Sequence, residues 1–522
     1  MTTPLERVRP RLGAKLVPGP SGELRGRVSR EEIPVIAGTL GGAGLEAQLV
    51  TAIDTRDDGD DAFTLLYRFA PPTGSPALTL TVPIPARDPR FPSLATRSFA
   101  ASRFEREVHD LFGLVPEGHP DLRRLPLHQF WPGGYHPLRR DTAALTNFVD
   151  DGAPFPFQRV EGEGLFEITV GPVHAGIIEP GHFRFTVEGE TIVNLETRLG
   201  FVHKGTEKLF ETLPFERTVA LAERISGDES FAHALAYCHA LEALAGCTVP
   251  PRAALLRVLG LELERLYNHV GDVGMIVNDT GFAFGHAHCF RLREELLRIN
   301  ERLCGHRLLR GMLAPGGLAA PIATGTVRDA ATVVGRLAAE FQDVADLCLE
   351  NTLVLERLLG TGQLTAATAR GMQVVGLVAR ASGIDADLRR DAPADGYREL
   401  GVRVATGDAG DVWARTMVRI AEVAESARLV AAVAAGLEEG PSAVELPPLP
   451  AREVAFGACE AWRGPITHAV VTDAASRVRR VKVVDPSFRN WPALEYAVLK
   501  NIVPDFPLCN KSFNLSYSGN DL

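Results

Sequence analysis

The side chains of this sequence best able to do chemistry fall into three separated segments. The first is Gly171-Pro-Val-His-Ala-Gly-Ile-Ile-Glu-Pro-Gly-His-Phe-Arg-Phe185, which carries His174 and His182 and is soon followed by Arg198-Leu-Gly-Phe-Val-His-Lys-Gly-Thr-Glu-Lys-Leu209, which carries His203 and Glu207. A carboxylate beside a histidine can relay protons when both are buried. A glutamate at the start of a helix is equally well explained by the positive end of the helix dipole. The second segment is Glu223-Arg-Ile-Ser-Gly-Asp-Glu-Ser-Phe-Ala-His233, with Arg224, Ser226 and Glu229, and the third is Asp485-Pro-Ser-Phe-Arg-Asn490, with Asp485, Ser487 and Asn490. These are acids, hydroxyls and an amide, suited to proton handling and hydrogen bonding.

Thiol chemistry is not encoded with any metal-binding spacing. The cysteines are Cys238, Cys247, Cys289, Cys304, Cys348, Cys459 and Cys509, and no two form a C-x-x-C pair. Neither a zinc site nor an iron–sulfur cluster of local spacing follows from them. They read as reduced thiols in a cytoplasmic protein, with Cys238 and Cys509 as core residues.

Composition bounds the rest. The chain has 522 residues, of which 45% are hydrophobic and 23% charged, an ordinary globular balance. Its length suggests two to four domains. A net charge of -10 gives no electrostatic footprint for nucleic acid. The N-terminus is polar and arginine-containing, without the apolar stretch of a secretory signal. The most apolar run, near Leu429 to Leu437, is short and Ala-rich and ends in Glu438 and Glu439, so no membrane span is expected.

The elements that must position these groups give an α+β fold class. Residues 1–140 are expected to form a small α+β domain. Phe63–Phe69 and Leu78–Ile84 alternate as strands around Pro71-Pro-Thr-Gly-Ser-Pro76, and a helix follows with apolar positions at Leu94, Ala101, Phe104, Val108 and Leu111, stopped by Gly113. Residues 141–164, with Pro154, Pro156, Gly162 and Gly164, read as a linker. Residues 165–522 are expected to form a largely helical domain with a small β portion. It opens on a hairpin, Phe183–Val187 and Thr191–Leu195, around Glu188-Gly-Glu190. Helical spacing then dominates from 205 to about 440, with Leu255, Leu259, Leu263 and Leu266 on one stripe. Arg257, Glu262, Glu264 and Arg265 on the same helix are either buried ion pairs or a solvated face. Short strands and a final helix are expected from Val454. Gly38-Thr-Leu-Gly-Gly-Ala-Gly44 lacks the spacing of a dinucleotide loop and reads as a turn.

Several of these strings also carry a resemblance. Arg103-Phe-Glu-Arg-Glu-Val-His-Asp-Leu-Phe-Gly113 with Gly118-His-Pro-Asp-Leu-Arg-Arg124, which alone would read as a helix C-terminus with surface ion pairs, resembles the signature of the small hydrophilic subunit of respiratory complex I. The 171–209 region resembles the opening of the large subunit of energy-converting nickel–iron hydrogenases. It is similar, too, to the loop of complex I's quinone-site subunit that carries two histidines near the quinone. His174 matches the first of these, Ile178 stands at the second, and His182 lies out of register. Arg257–His269, Gly305-His-Arg307 and Pro315-Gly-Gly317 are similar to other superfamily features. In the hydrogenases Glu207's counterpart lies on the proton path. Their metal ligands are two C-x-x-C pairs, whose positions here are Ser226 and Glu229, then Ser487 and Asn490. Soft thiolates suit nickel and iron; hydroxyl and amide groups do not. The quinone-binding tyrosine of complex I falls on Gly227.

The resemblance implies a subunit of a membrane-associated, NADH dehydrogenase-like or hydrogenase-4-like oxidoreductase complex, attached peripherally at the cytoplasmic face. It implies a small iron–sulfur partner subunit whose cluster delivers electrons, a quinone-type acceptor at the shared interface, and antiporter-like membrane subunits. No cofactor would be held by this chain alone, no metal would be bound, and any nicotinamide site would belong to another subunit. The implied catalytic set is His174, His203, Glu207, Arg224 and Asp485; the implied cavity lining is His174, His182, Ser226, Glu229, Ser487 and Asn490. The alternatives are a non-catalytic scaffold of the same complex and, last, an active hydrogenase with replaced ligands.

Overall fold

The computed structural model describes residues 5–6, 9–11, 16–58, 61–143, 149–150, 152–176 and 178–522. Near its N-terminus the alternating apolar runs form one sheet from β1 (Val17–Pro18), β2 (Leu24–Arg27), β3 (Glu46–Asp54), β4 (Ala62–Ala70) and β5 (Leu78–Pro85), in the order β1-β2-β5-β4-β3. Only the β2–β5 pair is parallel. Helix α1 (Ile33–Gly41) connects β2 to β3, and α2 (Phe99–Phe112) packs on β3. Ser98 caps α2 by accepting from Ala101 N, and Gly113 ends it at φ 69°, a left-handed conformation that favours glycine.

The charges of α2 are not surface ion pairs. Glu105, Glu107 and Asp110 are 0%, 6% and 6% exposed. Glu105 accepts from Ser93 Oγ (2.5 Å) and Leu94 N (2.7 Å), Asp110 from Leu125 N (2.7 Å), and Glu107 from Lys482 Nζ (2.6 Å) of the distant C-terminal region. The helix is therefore a seam, with its apolar stripe on the first sheet and its acids turned to the rest of the chain. Core continuity agrees: Phe456, Ala469, Val484 and Phe488 join the N-terminal apolar cluster.

Residues 152–164 carry no helix or strand and are mostly exposed; 144–148 and 151 of the expected linker lie outside the described residues. A three-stranded antiparallel meander follows, β6 (Leu165–Val170), β7 (His182–Glu188) and β8 (Thr191–Arg198), containing the expected hairpin. The helical body is built on α3 (Thr206–Thr212), α4 (Ser230–Ala245), α5 (Pro251–Asp279), α6 (Ala283–Cys304), α7 (Thr324–Glu350) and α8 (Val412–Gly436). The 29 residues of α5 make it the central strut, packed on α4, α6 and α8. The C-terminal part is a meander of β9 (Val454–Glu460), β10 (Pro465–Thr472) and β11 (Val478–Val484), then three helices rather than one: α9 (Pro486–Ala497), α10 (Phe506–Phe513) and α11 (Tyr517–Asp521). Among the described residues no helix is long and apolar enough to cross a membrane.

Arg257, Glu262, Glu264 and Arg265 lie inside the bundle, each at most 1% exposed. Arg257 pairs with Glu242 at 2.5 Å, Glu264 accepts from Phe231 N and Ala232 N of α4, and Glu262 and Arg265 belong to a buried ionic lattice. Arg380 reaches Glu422 at 2.8 Å and Glu460 at 2.7 Å, Arg389 reaches Asp387 at 2.6 Å and Glu262 at 3.3 Å, and Glu422 also meets His269 at 2.8 Å. Multidentate arginines satisfy several carboxylates at once, which is what makes such burial tolerable.

Two outcomes follow from this packing. Arg380→Met, which leaves the carboxylates around it unpaired, lowers stability to chemical denaturation by about 3–5 kcal/mol, whereas Glu294→Ala, in an exposed pair with Arg298, costs under about 1 kcal/mol. Glu105, raised by burial from 4.5 to about 7, takes up a proton on folding. Its contribution is full below pH 4.5 and is lost as pH rises through 7. Denaturant titrations of Glu105→Gln and the parent at pH 5 and 8 check this: the variant gains on the parent by up to about 3 kcal/mol at the higher pH, and a pH-independent difference contradicts it.

Candidate functional site

The two ligand-like segments are both loop-to-helix turns, and the fold sets them face to face. In the first, Ser226–Glu229 leads into α4, with Glu229 at the N-cap; in the second, Asp485 leaves β11 and caps α9, its Oδ1 accepting from Ser487 N at 2.6 Å. One turn into α4, His233 places Nε2 at 3.1 Å from Asp485 Oδ2, while its Nδ1 lies 3.2 Å from His468 Nε2 on β10. Burial and the neighbouring His233 hold His468 well below the usual imidazole range, so it is neutral.

Arg463 supplies the countercharge. Its Nη1 and Nη2 fork onto Asp228 at 2.9 and 2.5 Å, Nη1 lies 3.0 Å from Glu229 Oε2, and the guanidinium stacks on Trp462 at 3.9 Å. Burial works against the charge on Asp228 and Asp485. Arg463 with the Ser226 hydroxyl overrides it for Asp228, and His233, Arg463 and Ser487 N override it for Asp485, so both carboxyls sit below their ordinary range. Glu229 goes the other way. It is fully buried, neither carboxyl oxygen has a hydrogen-bond partner among the described residues, and burial pushes it well above the usual range.

The four positions to which the resemblance assigns the hydrogenase cysteines are all at most 1% exposed, and three of them, Ser226, Ser487 and Asn490, are hydrogen-bonded within the protein. The C-terminal residue Ser516 joins two of them. Its Oγ lies 2.8 Å from Ser226 Oγ, and its N–H donates to Ser487 Oγ at 2.9 Å. Asn490 accepts from Val375 N and donates to Val375 O, both at 3.0 Å. Gly519 passes so close to Asp485 that a Cβ there would lie 2.2 Å from Oδ2. A nickel–iron centre does not fit this donor set: no thiol is present, and the hydroxyls and the amide are committed to the protein. Glu229, His233 and Asp485 do offer one ligand atom each within 4.8 Å of one another, but Asp485 is spent on a helix cap and on His233, and Arg463 already supplies positive charge.

Beside this wall lies a cavity of about 380 Å³, lined by Ser226, Asp228, Asp272, Arg463, Lys511 and Tyr517 among others, with Ile178 and Glu179 of the first loop at its rim. The Tyr517 hydroxyl is buried, with the Asn510 side chain beside it at the cavity. The remaining sequence candidates lie elsewhere. His174 donates Nε2 to Gly181 O at 2.7 Å and so closes its own loop. His182 packs on Phe157 at 5.4 Å. His203 donates Nδ1 to Asp521 O at 2.7 Å. Glu207, in the first turn of α3, is ion-paired to Arg480 at 2.6 Å and Lys482 at 3.2 Å and accepts from Val483 N; those two cations outweigh burial and hold it below its ordinary range. Arg224 is exposed and hydrogen-bonds Ala220 O. Ser487 and Asn490 are internal braces, and Ser226 reaches the cavity.

Sequence reasoning missed Arg463, Tyr517 and Ser516, which stand outside any motif. Asp228 and His233 lay inside the quoted 223–233 string, where their types alone could have marked them.

The family models for the respiratory-chain NADH dehydrogenase 30 Kd subunit and 49 Kd subunit match residues 27–147 and 279–451 respectively. Formate hydrogenlyase subunit 5 of Escherichia coli (strain K12) is 34% identical over 449 residues, covering 85% of this chain and 79% of that protein. Hydrogenase-4 component G of the same strain is 33% identical over 83% of this chain and 76% of its own length. An NADH-quinone oxidoreductase subunit of Gluconacetobacter diazotrophicus is 31% identical over 84% of this chain and 82% of its own length. By this extent of identity the chain belongs to the family of these hydrogenase and NADH-quinone oxidoreductase large subunits, with 30 Kd-like and 49 Kd-like regions on one polypeptide.

Proposed function

We propose that this chain is the large peripheral subunit of a membrane-associated, energy-converting complex of the complex I and hydrogenase-4 type. In it, electrons from an iron–sulfur cluster on a small partner subunit reach a quinone-type acceptor in the cavity between Ser226 and Tyr517. The energy released would drive proton or ion movement in antiporter-like membrane subunits, with the peripheral arm at the cytoplasmic face. The family membership supports the complex, since relatives on both the hydrogenase and the quinone-reductase sides match most of the chain.

The observation that carries the acceptor reading is the polar cavity itself, placed against the positions that lack thiols. Reduction of a quinone to a quinol consumes two electrons and two protons, so the site must donate hydrogen bonds to carbonyl oxygens and hold protons nearby. The buried hydroxyl of Tyr517 at the cavity is such a donor, and the carboxyl of Glu229, pushed by burial well above its ordinary range, would be such a store. Arg463 stabilises negative charge developing beside it. Neither Ile178 nor Gly227 can replace the histidine and tyrosine that the quinone-site family has at those positions; Tyr517 brings a phenol from the C-terminal region instead.

A second reading is a scaffold subunit that has kept the interfaces and lost the reaction. Ser516, stitched between Ser226 and Ser487, favours it because it closes part of the former metal pocket.

Electron transfer to a water-soluble quinone analogue, measured on the complex purified from its host, separates the two. Tyr517→Phe removes one hydrogen bond to the acceptor and raises KM for the analogue about tenfold, while the set of co-purifying subunits is unchanged. Unaltered kinetics in Tyr517→Phe, or absence of quinone reduction by the intact complex, supports the scaffold.

A further inference from the structure

Arg103 and Arg106 come from the α2 string whose chemistry the acceptor cavity does not use. Both reach a second cavity, about 320 Å³, on the seam between α2, β8 and α9, where Arg123 and Arg198 also converge. Of the four guanidiniums only Arg123 is fully paired, to Asp121 at 2.8 Å and to Glu196.

The other three are satisfied by neutral groups. Arg106 donates to the carbonyls of Arg123 (2.8 Å) and Arg124 (3.1 Å), and its nearest approach to Asp121 is 3.8 Å. Arg198, only 5% exposed, donates to the carbonyls of Leu125 (2.5 Å) and Leu127 (2.8 Å), and its Nε has no partner among the described residues. Arg103 donates to Asn520 Oδ1 at 3.0 Å, and its Nε is likewise without a partner among the described residues. Glu495, the remaining acid of the cavity, accepts from Thr197 N at 2.9 Å, and burial pushes it above its ordinary range. Four guanidiniums thus line the cavity against three acids, Asp121, Glu196 and Glu495, with Asp110 and Asp521 the next carboxylates within reach of Arg198. Burial without a full countercharge pulls Arg103 and Arg198 down to about 10, so both are still cations at neutral pH.

Burying guanidinium charge against carbonyls alone is costly. An oxyanion removes that cost, because the planar fork of arginine matches phosphate and carboxylate oxygens. The volume admits such a group with a small organic body, and the Phe155 ring, 4.7 Å from Arg198 and 5.3 Å from Arg123, offers it an apolar wall. We propose that the seam cavity is an anion-binding site for a small ligand bearing a phosphate or a pair of carboxylates, separate from the acceptor cavity. Its walls come from the 30 Kd-like region and from the large-subunit region, so occupancy ties the two together. The inference does not depend on the acceptor being a quinone.

Isothermal titration of the purified full-length chain at fixed ionic strength, with inorganic phosphate in one arm and succinate in the other, tests it. Saturable binding in either arm, with chloride inert, is expected, and the stronger arm identifies the headgroup. Gln158→Glu adds a negative charge at the exposed mouth without touching the core and weakens binding at least tenfold; Arg103→Gln does the same by removing a donor. Heats indistinguishable from chloride in both arms, or parent-like binding by both folded variants, overturn the proposal.

Discussion

The Arg463 guanidinium, gripping Asp228 and facing Glu229, is the interaction on which the site depends. Three carboxyl groups, those of Asp228, Glu229 and Asp485, converge where the hydrogenases gather thiolates around metal ions. Without a cation, packing them together in a dry interior would cost several kcal/mol per charge. The structure resolves this by dividing the work. Asp228 keeps its charge on Arg463, Asp485 keeps its charge between a helix cap and His233, and burial pushes Glu229 well above its ordinary range. A fixed guanidinium thus stands among these three carboxyl groups.

The ionic lattice behind it has a different character. Arg265, Arg380 and Arg389 tie α5, the 380–391 segment, α8 and β9 together through Glu262, Asp387, Glu422 and Glu460. Arginine does not release its proton in proteins, so a lattice threaded through guanidiniums is a frame and not a proton wire. Its member near neutrality is Glu460, raised by burial to about 7; Glu264, outside the lattice on α5, is raised by burial to about 8. Glu264 accepts from Phe231 N (2.8 Å) and Ala232 N (3.0 Å) and so fixes the start of α4, with Glu229 and His233, to α5.

Much of this architecture was legible in the sequence, and the exceptions have physical causes. The strands at 62–70 and 78–85, the 182–198 hairpin and the α2 stripe showed because their apolar residues keep regular spacing between turn residues, even where, as at 62–70, both faces are buried. Charge burial was not legible. The acids of α2 and the ion pairs of α5 follow the same spacing as a solvated face, and only their long-range partners, such as Lys482 for Glu107 and Arg389 for Glu262, reveal the difference. The absence of C-x-x-C pairs could be read from the sequence directly. What replaced them could not. Ser516 lies 29 residues past Ser487, with Tyr517 next to it, and Arg463 lies in the turn between β9 and β10 without a motif, so only the fold brings them to the pocket.

The central claim is that this donor set holds no nickel–iron centre. Metal analysis by mass spectrometry of the complex, purified anaerobically from nickel-supplemented cells, tests it most directly. The account predicts nickel far below one atom per chain, with iron accounted for by clusters on partner subunits. One tightly held nickel per chain, lost on substituting Glu229 or Asp485, would contradict it.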